Sequence, residues 1–212
     1  MVCIIGPSGS GKSTILKLIN GLIKADVGEV TVLGSTLDYN DGAVMRRKIG
    51  FVLQKPALFP HYTVAQNISV VPNLLGWSQE KIDVRVRELL EMMRLDPNDY
   101  SSRYPSQLSG GQSQRVGIAR ALAANPELCL YDEPFSALDP ITRSELQDEV
   151  IRLKTELGKT SVFVTHDIRE AFKLGDEIMI INGGKIEQQG SKEEILSNPK
   201  TDFVKRFIEQ HD

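Results

Sequence analysis

Apolar residues along the chain follow two rhythms, short uninterrupted runs and stripes spaced three or four residues apart, and their alternation predicts a mixed α/β protein. Val2-Cys3-Ile4-Ile5, Leu128-Cys129-Leu130-Tyr131 and Ser161-Val162-Phe163-Val164 read as short buried strands. Ser13-Thr14-Ile15-Leu16-Lys17-Leu18-Ile19 opens a helix after the first run, and a later helix carries Leu146, Val150, Leu153 and Leu157 on one stripe. Because strands and helices alternate in the first and last thirds, the expected architecture is a mainly parallel sheet joined by crossovers. Ile178-Met179-Ile180-Ile181, then Asn182-Gly183-Gly184, then Lys185-Ile186-Glu187 predicts a hairpin, since Asn and Gly supply the positive φ values of a tight turn. Ser191-Lys192-Glu193-Glu194 has capping-box spacing and predicts the start of a late helix.

The middle third is different. Between Thr63 and Ala124 the pattern is mostly helical, with Ile82, Val86, Leu89, Leu90 and Met93 on one face and Lys81, Arg85 and Glu88 outside it. This predicts a helical subdomain, residues 63–124, inserted into an α/β core of residues 1–62 and 125–212, within a single domain spanning 1–212. Composition changes this picture little: 212 residues, 41% apolar and 25% charged, are ordinary for a soluble globular protein. A net charge of −3 gives no electrostatic reason to expect nucleic-acid binding, which usually needs a basic face, so no nucleic-acid partner is expected. No apolar stretch approaches the length of a bilayer span, and Met1 to Ile5 run straight into a glycine-rich loop without room for a signal peptide, so the expectation is a cytoplasmic protein. Cys3 and Cys129 lie inside apolar runs and read as reduced core residues.

The candidate chemistry begins in that loop. Gly6-Pro7-Ser8-Gly9-Ser10-Gly11-Lys12-Ser13 matches the phosphate-cradling pattern G-x-x-x-x-G-K-[ST] and falls where a strand turns into a helix. Glycines let successive backbone N–H groups converge on phosphate oxygens, and the helix N-terminus adds partial positive charge. Lys12 is expected to reach the β- and γ-phosphates and Ser13 to ligate Mg²⁺. A second feature is the buried run that delivers Asp132 and Glu133 at its end, where two carboxylates destabilise the fold unless a cation sits beside them. Asp132 fits the Mg²⁺-binding role and Glu133 the polarisation of attacking water. A third is Ser109-Gly110-Gly111-Gln112 at the start of a long helix through Arg115, Ile118, Ala119 and Leu122, a second anion-binding helix start without a lysine. Two such starts in one chain suggest two chains sharing nucleotides.

Gly6 to Ser13, Gln54, Leu108 to Gln112, Asp132-Glu133, Ser136-Ala137-Leu138-Asp139 and His166 stand in the order and spacing of the ATP-binding cassette (ABC) ATPases, and nearly the whole chain resembles that family. The resemblance implies a P-loop NTPase fold, ATP and Mg²⁺ as cofactors, and a head-to-tail dimer with a second copy of the chain. Within it, Gly6 to Thr14 hold phosphates, and Ser109, Gly110, Gly111 and Gln112 of one copy close over ATP held by the other. It also implies that Gln54 ligates Mg²⁺ or the attacking water, that His166 contacts the γ-phosphate, and that Asp139 couples the two sites. Glu133, His166 and Gln54 are then the catalytic set, and Ser13, Gln54 and Asp132 the metal set.

A narrower resemblance is to the ATPase subunits of osmoprotectant importers. It rests on Arg46 to Gln54, Leu58-Phe59-Pro60-His61, Asp139 to Arg143, Val164 to Asp176 and, most discriminating, Val71-Pro72-Asn73-Leu74-Leu75-Gly76-Trp77. It implies uptake of glycine betaine, choline, carnitine or proline, integral membrane permease subunits that dock around Gln54 to Thr63, a solute-binding protein as indirect partner, and a place on the cytoplasmic face of the membrane. Lys55-Pro56 and Ser113 depart from the subgroup without removing a catalytic group. The strands and adenine-stacking aromatic that family members carry before the P-loop strand are not in this sequence, nor is the subgroup's C-terminal extension beyond Gln210-His211-Asp212. Without those strands, Gly28-Glu29-Val30-Thr31-Val32 is expected to form an unpaired edge strand. The rival readings are an importer ATPase for another solute, a soluble ABC protein without a transport role, and a truncated cassette.

Overall fold

The apolar runs become neighbouring strands of one sheet. In the computed structural model, which describes residues 1–209, chain order begins with β1 (Val2–Ile5), α1 (Lys12–Ile19), β2 (Thr31–Val32), β3 (Ser35–Thr36), α2 (Gly42–Arg46) and β4 (Ile49–Val52). The helical middle follows as α3 (Val64–Leu74), α4 (Gln79–Met92), α5 (Pro97–Tyr100), a 3₁₀ turn at Pro105–Gln107 and α6 (Gly110–Leu122). The last part runs β5 (Leu128–Asp132), α7 (Pro140–Leu157), β6 (Thr160–Val164), α8 (Ile168–Leu174), β7 (Glu177–Asn182), β8 (Lys185–Gly190), α9 (Lys192–Ser197) and α10 (Asp202–Glu209). Residues 210–212, the tail of the expected domain, lie outside the described residues.

Sheet order is β4-β5-β6-β1-β7-β8, parallel throughout except for the β7–β8 hairpin. Strand β1 therefore sits between β6 and β7, and the loop that leaves it opens above the middle of the sheet, where parallel α/β folds place their ligands. Alternation along the strands divides the core into two layers. Cys3 and Ile5, Cys129 and Tyr131, and Ile178 and Ile180 face one side, against the helices of the middle region together with Leu146 and Val150 of α7. Ile4, Leu128, Leu130 and Val164 face the other, against Leu16 of α1 and Val32 and Leu37 around the β2–β3 hairpin. Both cysteines are free and buried, as their apolar surroundings require, and burial pushes the thiols up to about 12 at Cys3 and about 11 at Cys129.

Helix starts are set locally. Thr63, Ser109 and Ser191 each accept from the N–H three residues on while a Gln or Glu there returns the bond, giving full capping boxes on α3, α6 and α9. The expected hairpin turns through Gly183 and Gly184 at φ 52° and 77°. One expectation fails. The segment 28–32 is not an unpaired strand: only Thr31 and Val32 are extended, and they pair antiparallel with Ser35 and Thr36. Leu33 and Gly34, at φ 53° and 76°, make the turn. The apolar rhythm shows no trace of it because three of the four paired residues, Thr31, Ser35 and Thr36, face solvent.

The middle helices are tied to the core by charge as well as apolar packing. Arg115 of α6 pairs with Glu149 of α7, donates to the Met93 carbonyl at 3.0 Å and reaches Glu145 at 3.3 Å. Because Glu149 is buried, removing Arg115 would leave a carboxylate without its main partner, at a cost of about 3–5 kcal/mol.

Candidate functional site

The geometry starts at Gly6. A Cβ there would stand 2.1 Å from the Ile181 carbonyl oxygen, so the end of β7 forms a backbone floor that only glycine can cross. The turn of the β7–β8 hairpin props the loop from the same side, the Gly184 N–H donating to the Ser10 carbonyl at 3.1 Å. Gly9 at φ 79° and Gly11 at φ 102° complete a left-handed path that turns the chain into α1. Gly11 caps α1 without any side-chain bond, so the first N–H groups of the helix stay available to an anion. Ser8, Gly9, Ser10, Gly11, Lys12, Ser13, Thr14 and Glu133 line a concave site of about 280 Å³ above this turn.

Lys12 is buried, and its ammonium donates to the carbonyls of Gly6 at 2.7 Å and Pro7 at 3.0 Å. Burial pushes its titration down from the ordinary lysine value, while Glu133 and Asp132 oppose the shift. The Ser13 hydroxyl donates to Asp132 Oδ1 at 2.9 Å, joining the start of α1 to the end of β5, 119 residues apart, across the end of the intervening strand β6. A hydroxyl and a carboxylate are hard oxygen donors, and one or two such protein ligands completed by phosphate oxygens are what Mg²⁺ takes in sites of this type. No group of three or more His, Cys, Asp or Glu able to hold a metal occurs among the described residues.

Glu133 follows Asp132 with φ 45°, a left-handed conformation that costs a non-glycine residue about 1–3 kcal/mol. It is held there by its N–H, which donates to the Val164 carbonyl at 3.0 Å, and by Ser136, whose hydroxyl donates to the Glu133 carbonyl at 3.0 Å. Its Oε2 lies 2.9 Å from His166 Nδ1; the carboxylate can only accept, so Nδ1 carries the proton of this bond. Gln54 Nε2 donates to Ser136 Oγ at 3.0 Å, so Ser136 joins Gln54 to the backbone of Glu133. Sequence reasoning placed Ser136 in a motif without a role; its 82-residue separation from Gln54 left no local signal. The Gln54 loop also hangs from α6, with Gln114 donating to the Leu53 carbonyl at 3.2 Å and Arg120 to that of Ala57 at 2.9 Å.

The structure thus brings together the P-loop, Asp132, Glu133, His166 and Gln54. Ser109, Gly110, Gly111 and Gln112 are elsewhere, and none of them lines the P-loop cavity. Ser109 and Gly110 are exposed, and Gln112 donates to the Tyr100 hydroxyl at 3.0 Å. Asp139 caps α7 by accepting from Thr142 N–H at 3.1 Å, and the Thr142 hydroxyl and N–H hold its carboxyl below the usual range. A Cβ on Gly111 would stand 2.4 Å from Thr142 Cγ2, so the starts of α6 and α7 touch within one chain.

Comparison with known proteins agrees with this geometry. Residues 1–136 match a protein-family model described as ABC transporter. The chain is 53% identical over 207 residues to the glycine betaine/carnitine/choline transport ATP-binding protein OpuCA of Bacillus subtilis, an alignment covering 98% of this chain and 54% of that protein. It is 49% identical over 208 residues to the sulfate/thiosulfate import ATP-binding protein CysA of Synechococcus elongatus, covering 98% and 59%. The chain therefore spans little more than half the length of these relatives. Among solved structures, the dimeric ATP-binding cassette MJ0796, in a post-hydrolysis state bound to ADP and Pi, is 41% identical with a TM-score of 0.79, over 90% of this chain and 84% of that one.

Proposed function

Because this chain belongs to the ABC transporter family, we propose that it is the ATP-binding and ATP-hydrolysing part of a solute importer, working as a head-to-tail pair of copies around two Mg-ATP. The observation that carries this reading is the convergence of the P-loop with the Ser13–Asp132 and Glu133–His166 contacts at one end of the sheet. On binding, Lys12 exchanges two neutral carbonyl acceptors for anionic phosphate oxygens, a stronger, charge-assisted bond. The free N–H groups at the start of α1 hold the same phosphates. Ser13 and Asp132, with Gln54, would hold Mg²⁺, which when bound neutralises charge developing on the transferred phosphoryl group. Glu133 accepts a proton from the attacking water, and His166 fixes the orientation of that carboxylate through Nδ1.

Ser109, Gly110 and Gly111 act on the second copy's nucleotide. In α6 the Ser109 side chain accepts from Gln112 N–H, while the N–H groups of Gly110 and Gly111 have no intrahelical carbonyl before them, and neither residue lines the chain's own P-loop cavity. Division of the chain into a core of 1–62 and 125–212 and a helical lobe of 63–124, with Asp139 coupling the two sites, belongs to the same proposal. The permease docks in an apolar groove of about 340 Å³ beside β4, where Phe51, Leu53, Phe59 and Val71 are flanked by Arg47 and Arg120. We take attachment to be peripheral, on the cytoplasmic face, from the likeness to import ATP-binding proteins; no helix among the described residues is long and apolar enough to cross a membrane. For the solute we take the osmoprotectant class, glycine betaine, choline or carnitine, on the Val71–Trp77 stretch and the likeness to OpuCA. The identity to CysA makes an oxyanion the second reading.

Activity per chain is expected to fall as the protein is diluted through dimer dissociation, and Glu133→Gln to accumulate an ATP-bound dimer in gel filtration. Activity that stays flat in clearly monomeric protein, or a Glu133→Gln chain that stays monomeric with excess Mg-ATP, overturns the shared site. Uptake of labelled glycine betaine against sulfate, by membranes in which the chain energises its permease, decides the solute.

A further inference from the structure

Behind His166 lies a carboxylate that the proposed chemistry does not use. Glu170, in the first turn of α8, is 6% exposed. Its Oε2 accepts from Thr165 Oγ1 at 2.6 Å and its Oε1 from Gln147 Nε2 at 3.1 Å. The direction of each bond is forced. The Lys173 ammonium, which can only donate, holds Gln147 Oε1 at 3.1 Å and so turns the Gln147 amide nitrogen toward Glu170. The Asp167 N–H donates to Thr165 Oγ1 at 3.0 Å, leaving the hydroxyl proton for Glu170. Two lines of donors thus end on one buried carboxylate, and an ionised carboxylate serves both. Burial raises its titration; Asp167 adds to the shift, while the Thr165 and Gln147 bonds and Arg143 oppose it.

These bonds bracket His166. Thr165 is stitched to β1 by its N–H, 3.2 Å from the Ile4 carbonyl, and to Glu170 by its hydroxyl. The same hydroxyl holds Asp167, so both neighbours of His166 are clamped while its ring reaches Glu133. Gln147 belongs to α7, the helix that Asp139 caps.

We propose that Glu170 is a positioning residue. It holds the Thr165–Asp167 turn so that His166 meets Glu133, and through Gln147 it ties this turn to the helix that begins at Asp139. The kinetic consequence rests on the ATPase reading; the positioning itself does not.

The test combines two readouts on the full chain: Mg-dependent ATP hydrolysis, and the ¹⁵N signal of the His166 ring, assigned by its loss in His166→Ala. Glu170→Ala and Thr165→Val are each expected to lower kcat about tenfold with KM changed less than about twofold, and to shift the ring signal. In a His166→Ala background either change is expected to cost less than about twofold, since groups acting through one partner are not additive. Glu170→Gln is expected to fall between, because its amide must turn an N–H toward one of two donors. Thr165→Val keeps nearly the same volume and decides the matter where Glu170→Ala fails to fold. The proposal is overturned by an equal kcat loss with and without His166, or by an unmoved ring signal. If the unaltered chain hydrolyses no ATP, the ATPase reading falls, and the ring signal alone upholds or overturns the role of Glu170.

Discussion

The N-terminus of α1 and that of α6 share one chemistry, backbone N–H groups presented behind small residues, and differ in what surrounds it. At α1 the capping residue is a left-handed glycine with no side-chain bond, Lys12 is buried beside it, and Glu133 closes the cavity. At α6 the cap is closed by its own side chains, Gln112 N–H to Ser109 Oγ at 3.2 Å and Ser109 N–H to Gln112 Oε1 at 2.9 Å, on an exposed surface. The first start has no side-chain cap, so its first N–H groups are left to solvent or an anion. The second is already satisfied at N3 and keeps only its first two N–H groups for another molecule. Composition alone makes the two look equivalent; their neighbours make one the wall of a cavity and leave the other an exposed, self-capped helix start.

Mixing two defective chains gives the hardest test of that difference. Lys12→Ala is expected to lower hydrolysis at least about 100-fold, as loss of a preorganised charge at the phosphates. Gly110→Asp is expected to do the same by setting a carboxylate against the partner's nucleotide, without disturbing its own fold, since nothing lies within 4 Å of a Cβ there. Mixed together, the two variants are expected to regain activity, because one of the two sites in the mixed pair combines an intact P-loop with an intact α6 start. Activity that does not return on mixing breaks the comparison.

Stability separates the two glycine sets next. Gly6→Ala meets the Ile181 backbone carbonyl at 2.1 Å, which cannot rotate away, and is expected to cost more than about 3 kcal/mol in urea unfolding. Gly111→Ala meets only the Thr142 methyl at 2.4 Å and is expected to cost about 1–2 kcal/mol, regained by Thr142→Ser. Equal costs at the two positions would show that the P-loop floor yields as a side chain does. The smallest expected effect is at Ser136. Ser136→Ala frees Gln54 Nε2 and the Glu133 carbonyl and is expected to lower kcat about fivefold, the worth of about one neutral hydrogen bond, with nucleotide affinity unchanged.

Much of the fold was legible because its signals are local. Val2–Ile5 and Leu128–Asp132 are strands in one apolar run each, and the Asn182-Gly183-Gly184 turn and the Ser191–Glu194 cap lie within four residues. The P-loop and the Asp132-Glu133 pair were legible for the same reason, each being a strand end followed by a turn. Segment 28–32 was misread because its pairing depends on a turn at Leu33 and Gly34 that carries no apolar pattern. The Gln54–Ser136 bond and the Gln147–Glu170–Thr165 bridge were invisible for a different reason: their members come from different elements and meet only when α6, α7 and α8 pack on the sheet.

By itself the sequence determined which backbone could approach a phosphate, through glycines whose missing side chains are a covalent fact, and which carboxylates and ring could serve beside it. Only the tertiary structure decided that Ser13 meets Asp132, that Glu133 is held in a strained conformation against His166, and that Ser109, Gly110 and Gly111 stand apart from the P-loop of their own chain. A motif specifies the bonds a residue can make. Which partner it finds depends on the order in which β1, β5 and β6 lie side by side, and that order is set by packing across the whole sheet.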